Sequence, residues 1–195
     1  TTAANRSKLK GSHNLDNALL AAQLAMKAGA DIEGVIRGIA KFEPLPHRLE
    51  EHEIGGLTVV NDSISTTPEA TKAALNAYEG KRIALIAGGH ERQQDYTELA
   101  SLLAPRGVTT LVCLPVTGDR LATATYRAAP QIDVIETATL EAALEALSSR
   151  REKFDTVILS PGAPSYGQLE TQGKVFKNFE ERGEAFIRLA TRYFG

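Results

Sequence analysis

With a single cysteine, Cys113, among 195 residues, the chain can form no internal disulfide and no cysteine cage for a metal. Cys113 sits in the apolar run TTLVCLPV and reads as a buried core thiol. An excess of charge is equally absent. Lys and Arg total 22 against 24 Asp and Glu, a formal net charge of -2, which excludes a broad electrostatic field for nucleic acid or an anionic membrane surface. Recognition must then rest on particular sites. No apolar run reaches the roughly 18 residues of a membrane span, and the opening TTAANRSKLKGSHN has none of the features of a signal peptide. A soluble, cytoplasmic protein that binds neither nucleic acid nor membrane is expected. Two phosphate-binding signatures are also missing, since neither GxGxxG nor GxxxxGKS/T occurs in the chain. The first absence argues against a dinucleotide-dependent oxidoreductase.

What the chain does hold is a core-forming share of hydrophobic residues, 43%, arranged in two different patterns. Residues 1–43 show two helical periods and no strand: 14–28, rich in Ala and Leu and closed by Gly29, and 32–41, opened by Asp31. Two helices cannot close a core by themselves. The segment FEPLPHR, 42–48, is a stiff connection, because Pro44 and Pro46 fix their own φ and restrict the residues before them. A domain boundary is expected there, with 44–48 as the hinge.

From 49 to 195 strands alternate with helices. Strands are expected at 49–54, 57–61, 82–87, 110–114, 133–136 and 156–159, the first two joined by Gly55 and Gly56. Helical periods fill 68–78, 96–103, 119–126, 140–149 and 179–193. Repeated βα units whose strands are apolar nearly throughout predict an α/β fold: a Rossmann-like, mostly parallel sheet covered on both faces, preceded by a helical piece.

Three of these strands end in unusual chemistry. TVV is followed by NDS, IALIA by GGHERQQD, and TVILS by PGAPSYGQ. All three segments lie at carboxyl ends of strands in one sheet, hence on one rim, where open α/β sheets bind ligands. A fourth element, PHR, closes the hinge. Each has a plain structural reading. Asp62, Ser63, Ser65, Thr66 or Thr67 can cap the helix opening at Pro68, Gly88 and Gly89 can form a tight turn, and Arg92 can be a solvated charge. His47 and Arg48 can be a polar linker, and His13 and Asn14 a helix cap. Their coincidence in one chain is less expected than any one of them alone.

In this order, GSHNLDN, LPHR, NDS…T, GG…R…D and SPGAPS…FKNFEERG resemble the carboxyl-terminal half of the Mur ligases, most closely the branch that joins glutamate to UDP-N-acetylmuramoyl-L-alanine. The similarity covers nearly the whole chain, and the elements are specific together although each alone is weak. The resemblance implies that residues 1–43 end a central ATPase domain and that 49–195 form a mobile Rossmann-like domain. The UDP-binding domain and the rest of the central domain, with its ATP phosphate loop, would lie on a longer chain, so this fragment would not catalyse alone. The implied reaction is amide ligation in peptidoglycan synthesis: ATP phosphorylates the alanine carboxylate, and the amine of glutamate attacks the acyl phosphate. Mg2+ is implied by ATP chemistry, with its ligands mainly outside this chain.

By position in the motifs, the resemblance assigns Asn14 and Asn17 to the adenine and His47 with Arg48 to the nucleotide from the hinge side. Asp62 is assigned to the ribose and phosphates, and Asp62 and Arg48 would serve catalysis; the resemblance thus implies that Asp62, Ser63 and Thr66 face a ligand cleft while Thr67 or a neighbour caps the helix. Thr66, Arg92, Ser165, Tyr166 and Phe179 are assigned to the pocket for the incoming amino acid. A dicarboxylate needs cationic and hydroxyl donors, and a guanidinium fork can bind a carboxylate through two hydrogen bonds. A pocket split between two domains must also close to keep water from an acyl phosphate.

Three departures bear on the acceptor side. Ile64 stands where the family motif NDSKAT carries a lysine, Arg92 stands where a lysine would meet the side-chain carboxylate, and GQLETQGKV is inserted before Phe176. Addition of L-glutamate rather than D-glutamate is therefore admitted. Two other readings compete: a non-catalytic ligand-binding module derived from such a ligase, and a ligase like folylpolyglutamate synthase, whose corresponding turn usually carries a YAH-type sequence in place of NDS.

Overall fold

The computed structural model describes residues 11–195, without the side chains of Ser12 and His13, so the expected part of His13 beside Asn14 lies outside the described residues. The chain divides into two compact units between Pro46 and His47, within the 44–48 segment. The first unit holds α1 (Ser12–Lys27) and α2 (Ile32–Lys41). At the start of α2 the Asp31 carboxylate accepts the Gly34 N–H at 2.7 Å, which satisfies one of the free donors of a helix N-terminus. Leu19, Leu20, Leu24 and Ile36 stay exposed, as expected of two helices with no further layer.

The second unit is built on a six-stranded sheet. Its strands are β1 (Glu50–Ile54), β2 (Leu57–Asn61), β3 (Ile83–Ala87), β4 (Val108–Cys113), β5 (Asp133–Glu136) and β6 (Thr156–Leu159), in the spatial order β1-β2-β6-β3-β4-β5. β1 pairs antiparallel with β2 through a turn at Gly55 and Gly56, whose φ of 57° and 79° fit the primed hairpin turns. The other neighbours pair in parallel.

Helices α3 (Pro68–Ala77), α4 (Thr97–Leu103), α5 (Gly118–Ala128), α6 (Leu140–Ser148) and α7 (Phe179–Phe194) cover both faces. Alternation along the strands divides the core. Leu85, Leu111 and Ile158 pack with Leu75, Leu99 and Leu121 of α3 to α5, whereas Ala84, Ile86, Val112 and Val157 pack with Leu144 of α6 and Phe186 of α7. The chain steps from β2 to β3, β4 and β5 in one direction and returns from β5 to β6 in the other. Right-handed crossovers then require α3, α4 and α5 on one face and α6 on the other. Every residue of β3 and β6 is buried, which is why these strands read as continuous apolar runs.

One element is absent from the sequence pattern. Within GQLETQGKV, β7 (Leu169–Thr171) and β8 (Lys174–Val175) form a separate antiparallel ribbon ahead of α7. Runs of three and two residues are too short to carry a period. Among the described residues no helix is long and apolar enough to cross a membrane.

Candidate functional site

The return to β6 places β2, β6 and β3 side by side, so the three polar segments after these strands share one rim. Main-chain bonds tie them together. Gly162 N–H donates to Ser65 O at 3.0 Å, Gly88 N–H to Pro161 O at 2.8 Å, and His90 N–H to Pro164 O at 2.8 Å. Gln94 Nε2 donates to Thr66 O at 3.3 Å, which links the first and second segments. Thr67 caps α3, its hydroxyl accepting the Ala70 N–H at 3.4 Å, as the composition of that turn suggests.

At the start of this unit His47 and Leu49 both hold left-handed backbone, with φ of 62° and 48°, a strained choice for residues with a Cβ. Two carboxylates hold the turn: Glu50 Oε2 accepts the His47 N–H at 2.9 Å, and Asp62 Oδ1 accepts the Leu49 N–H at 3.2 Å. Asn61 Oδ1 accepts the Ser63 N–H, so its Nδ2 is the donor to Glu50 Oε2 at 3.3 Å and to His47 Nδ1 at 2.9 Å. With Nδ1 accepting, the proton of the neutral His47 ring lies on Nε2. The ring meets Phe179 edge-on at 6.0 Å between centroids. Arg48, between the two strained residues, has its Nε buried with no hydrogen-bond partner, an unusual condition for a charged donor.

Asp62 and Ser63, expected to face a cleft, are buried, at 2% and 0% exposure. The Asp62 carboxylate is already engaged, with Oδ1 on Leu49 N–H and Oδ2 accepting the Ser160 hydroxyl at 2.7 Å. Burial pushes its pKa up from 3.8 to about 6, against the opposing pull of the Ser65, Ser160 and Leu49 hydrogen bonds and the Arg48 charge. It braces the hinge turn against the segment after β6. Ser63 Oγ donates to Phe179 O at 2.8 Å and accepts from Arg182 Nε at 3.0 Å. Phe179, assigned by resemblance to the amino-acid pocket, is thereby brought to the hinge residue His47.

The other residues that the resemblance assigns to the amino-acid pocket differ in their setting. Ser165 is buried, Thr66 is half-buried, and Arg92 is exposed. Tyr166 is exposed and stands edge-on to His90, 5.9 Å between ring centroids. The segment that carries Arg92 is held from α5 by Arg120, whose Nη1 lies 2.9 Å from both Glu91 carboxylate oxygens. Asn14 and Asn17 lie three residues apart on α1, hence on one side of that helix. Among the described residues no group of three or more His, Cys, Asp or Glu could hold a metal ion.

Sequence reasoning passed over Arg182, which is fully buried in α7. Burial pushes its pKa down to about 9, so it stays cationic at neutral pH. The signal was present: Arg182 stands four residues before Phe186 and seven before Leu189, both buried, and therefore on the apolar stripe of its helix.

Residues 47–163 match the family model described as Mur ligase, glutamate ligase domain. The chain is 37% identical over 181 residues to the UDP-N-acetylmuramoylalanine--D-glutamate ligase of Rubrobacter xylanophilus, covering 92% of this chain and 39% of that protein. It is 36% identical over 183 residues to the UDP-N-acetylmuramoyl-L-alanine--L-glutamate ligase of a Micromonospora species, covering 91% of this chain and 38% of that one. Among solved structures, Mycobacterium tuberculosis folylpolyglutamate synthase complexed with ADP and AMPPCP superposes with a TM-score of 0.66 at 19% identity, over 94% of this chain and 41% of that one, a likeness of fold alone. The chain thus spans about two fifths of the length of these relatives. By the extent of the matched domain and the identity to these ligases, the chain belongs to the Mur ligase family.

Proposed function

We propose that this chain is the carboxyl-terminal part of a cytoplasmic, ATP-dependent ligase that joins glutamate to UDP-N-acetylmuramoyl-L-alanine in peptidoglycan synthesis. The observation that carries the reading is the rim itself: Thr66, Arg92 and the Ser165–Tyr166 pair extend from three cross-bonded segments at the ends of adjacent strands. The exposed Arg92 guanidinium offers a fork to a carboxylate, and Thr66 and Ser165 offer hydroxyl donors. The names of the relatives at 37% and 36% identity supply the acceptor class, and they include both glutamate enantiomers.

In the ligase, transfer of the ATP γ-phosphoryl group to the alanine carboxylate gives an acyl phosphate and ADP. The neutral amine of glutamate then attacks the acyl carbon, phosphate leaves, and an amide forms. In this reading the residues here hold and orient. Arg48, with its unpartnered buried Nε, fits an anionic partner such as the nucleotide phosphates. His47, held as the Nε2–H form, offers a donor beside it. Asp62 is a positioning residue, holding the backbone of the Leu49 turn that presents Arg48. Asn14 and Asn17 would serve the adenine from the end of the central domain. Mg2+, when bound, would neutralise phosphate charge; among the described residues no group of three or more His, Cys, Asp or Glu could hold it.

The test is to supply the full-length enzyme with UDP-N-acetylmuramoyl-L-alanine, ATP and either D-glutamate, L-glutamate or no amino acid, following phosphate release and product mass. Amide product with one enantiomer is expected and identifies the acceptor. No amide with either would overturn the proposal in favour of the folate or non-catalytic readings.

A further inference from the structure

Beneath the rim lies a cation that no carboxylate among the described residues neutralises. The Arg182 side chain, 0% exposed, donates from Nε to Ser63 Oγ at 3.0 Å and from Nη2 to Ser63 O at 2.8 Å. Its Nη1 donates to Gln168 Oε1 at 2.5 Å and to Ala163 O at 3.2 Å. Gln168, itself buried, passes the connection on: its Nε2 donates to Gly88 O at 2.8 Å and reaches Pro115 O at 3.4 Å. One guanidinium and one amide therefore join the segments that follow β2, β6, β3 and β4.

This arrangement is a costly way to fill a core. A buried charge without an opposite charge loses its hydration and regains only hydrogen bonds, and apolar side chains of similar volume fill such sites at least as well. Arg182 is also the fourth residue of α7, near the end where the helix dipole opposes a cation. What apolar packing cannot supply is the fixed directionality of a planar fork bonded to three residues in two loops. The attachment points bracket the acceptor residues. Ser165 and Tyr166 lie between Ala163 and Gln168, Thr66 follows Ser63, and Arg92 follows Gly88 in its segment.

We infer that Arg182 and Gln168 act as one positioning unit that sets the register of the loops carrying Thr66, Arg92, Ser165 and Tyr166, and thereby the affinity for the incoming amino acid. The inference rests on the glutamate-ligase reading above. Neither residue touches the substrate; each acts through the loops.

The test uses the full-length enzyme with the enantiomer that wild type accepts, comparing wild type, Arg182→Lys, Gln168→Met and the double variant. Thermal melting of each preparation is followed alongside. Lysine keeps the charge but cannot reproduce the fork, and methionine keeps the length of Gln168 while removing the two polar atoms, Oε1 and Nε2, that meet Arg182, Gly88 and Pro115. Each single variant should raise KM for glutamate about tenfold or more, because small displacements of positioning groups carry such penalties. KM for ATP should stay within about twofold, saturating glutamate should restore most of kcat, and the double variant should be no worse than the poorer single one, as for residues acting as one unit. If Arg182→Lys fails to fold, Gln168→Met alone carries the same expectation. A folded Gln168→Met enzyme with wild-type KM for glutamate would overturn the inference and leave the pair a purely structural staple. Wild-type enzyme that ligates neither enantiomer would instead overturn the glutamate reading, and this inference with it.

Discussion

Asp62 offers the sharpest physical test of the turn at Leu49, because burial and hydrogen bonding pull its carboxyl in opposite directions. Its pKa in the fold is about 6 against 3.8 for a free side chain, so burial outweighs its hydrogen bonds and the Arg48 charge. The folded state then holds the proton more tightly than the unfolded chain. Stability from this group is fully present below about pH 4 and is lost as pH rises through 6, by roughly 3 kcal/mol. Asp62→Asn removes the ionisation. Its amide oxygen can still accept from Leu49 N–H, and the Ser160 hydroxyl must turn to accept from the new NH2, an exchange that costs up to about 1 kcal/mol. The variant should therefore match or fall slightly below wild type at pH 4 and exceed it by about 2 kcal/mol at pH 8. Urea unfolding at both pH values measures this, with a midpoint shift near 1 M at pH 8 for an m-value of about 2 kcal/mol/M. An equal loss of stability at pH 4 and pH 8 would refute the reasoning, since it would mean that the carboxylate's hydrogen bonds dominate its burial.

Two further outcomes follow from the same packing. In Gly183→Ala the new Cβ would stand 2.3 Å from His47 Nδ1 and under 3 Å from both Asn61 amide atoms, so overpacking of about 1–3 kcal/mol should outweigh the roughly 1 kcal/mol gain in helix propensity. A lower melting temperature and a displaced His47 imidazole resonance are expected; a rise in melting temperature would contradict the contact. Cys113, whose pKa burial and the nearby Glu136 and Asp119 push up to about 12, should resist thiol reagents at pH 8 in the folded protein and react at once in urea. Rapid labelling of the folded form would show that β4 opens locally.

The strands and helices were legible because each expresses a period that a single buried face imposes, and because β3 and β6, covered on two faces, are apolar throughout. The shared rim was legible in part. Carboxyl ends of parallel strands point one way, so NDS, GGHERQQD and PGAPSYGQ had to share an edge wherever their strands stood. Which side chains face solvent was not legible. The polar composition of NDS suggested a cleft, yet Asp62 and Ser63 are buried by the chain returning as β6 and by α7, whose bonding groups lie about a hundred residues away in sequence. Arg182 was hidden in the same way, since a charge in FEERG reads as solvated until the oxygens around it are known.

The α/β class and the family motifs could be read from the chain alone, because they depend on neighbours within a few residues. That β6 inserts between β2 and β3, that Asp62 braces the Leu49 turn and that Arg182 joins the loops emerged only in the folded chain. Those outcomes depend on burial and on hydrogen-bond partners distant in sequence. Desolvation, which sets the charge state and direction of such groups, has no meaning until the chain has closed around them.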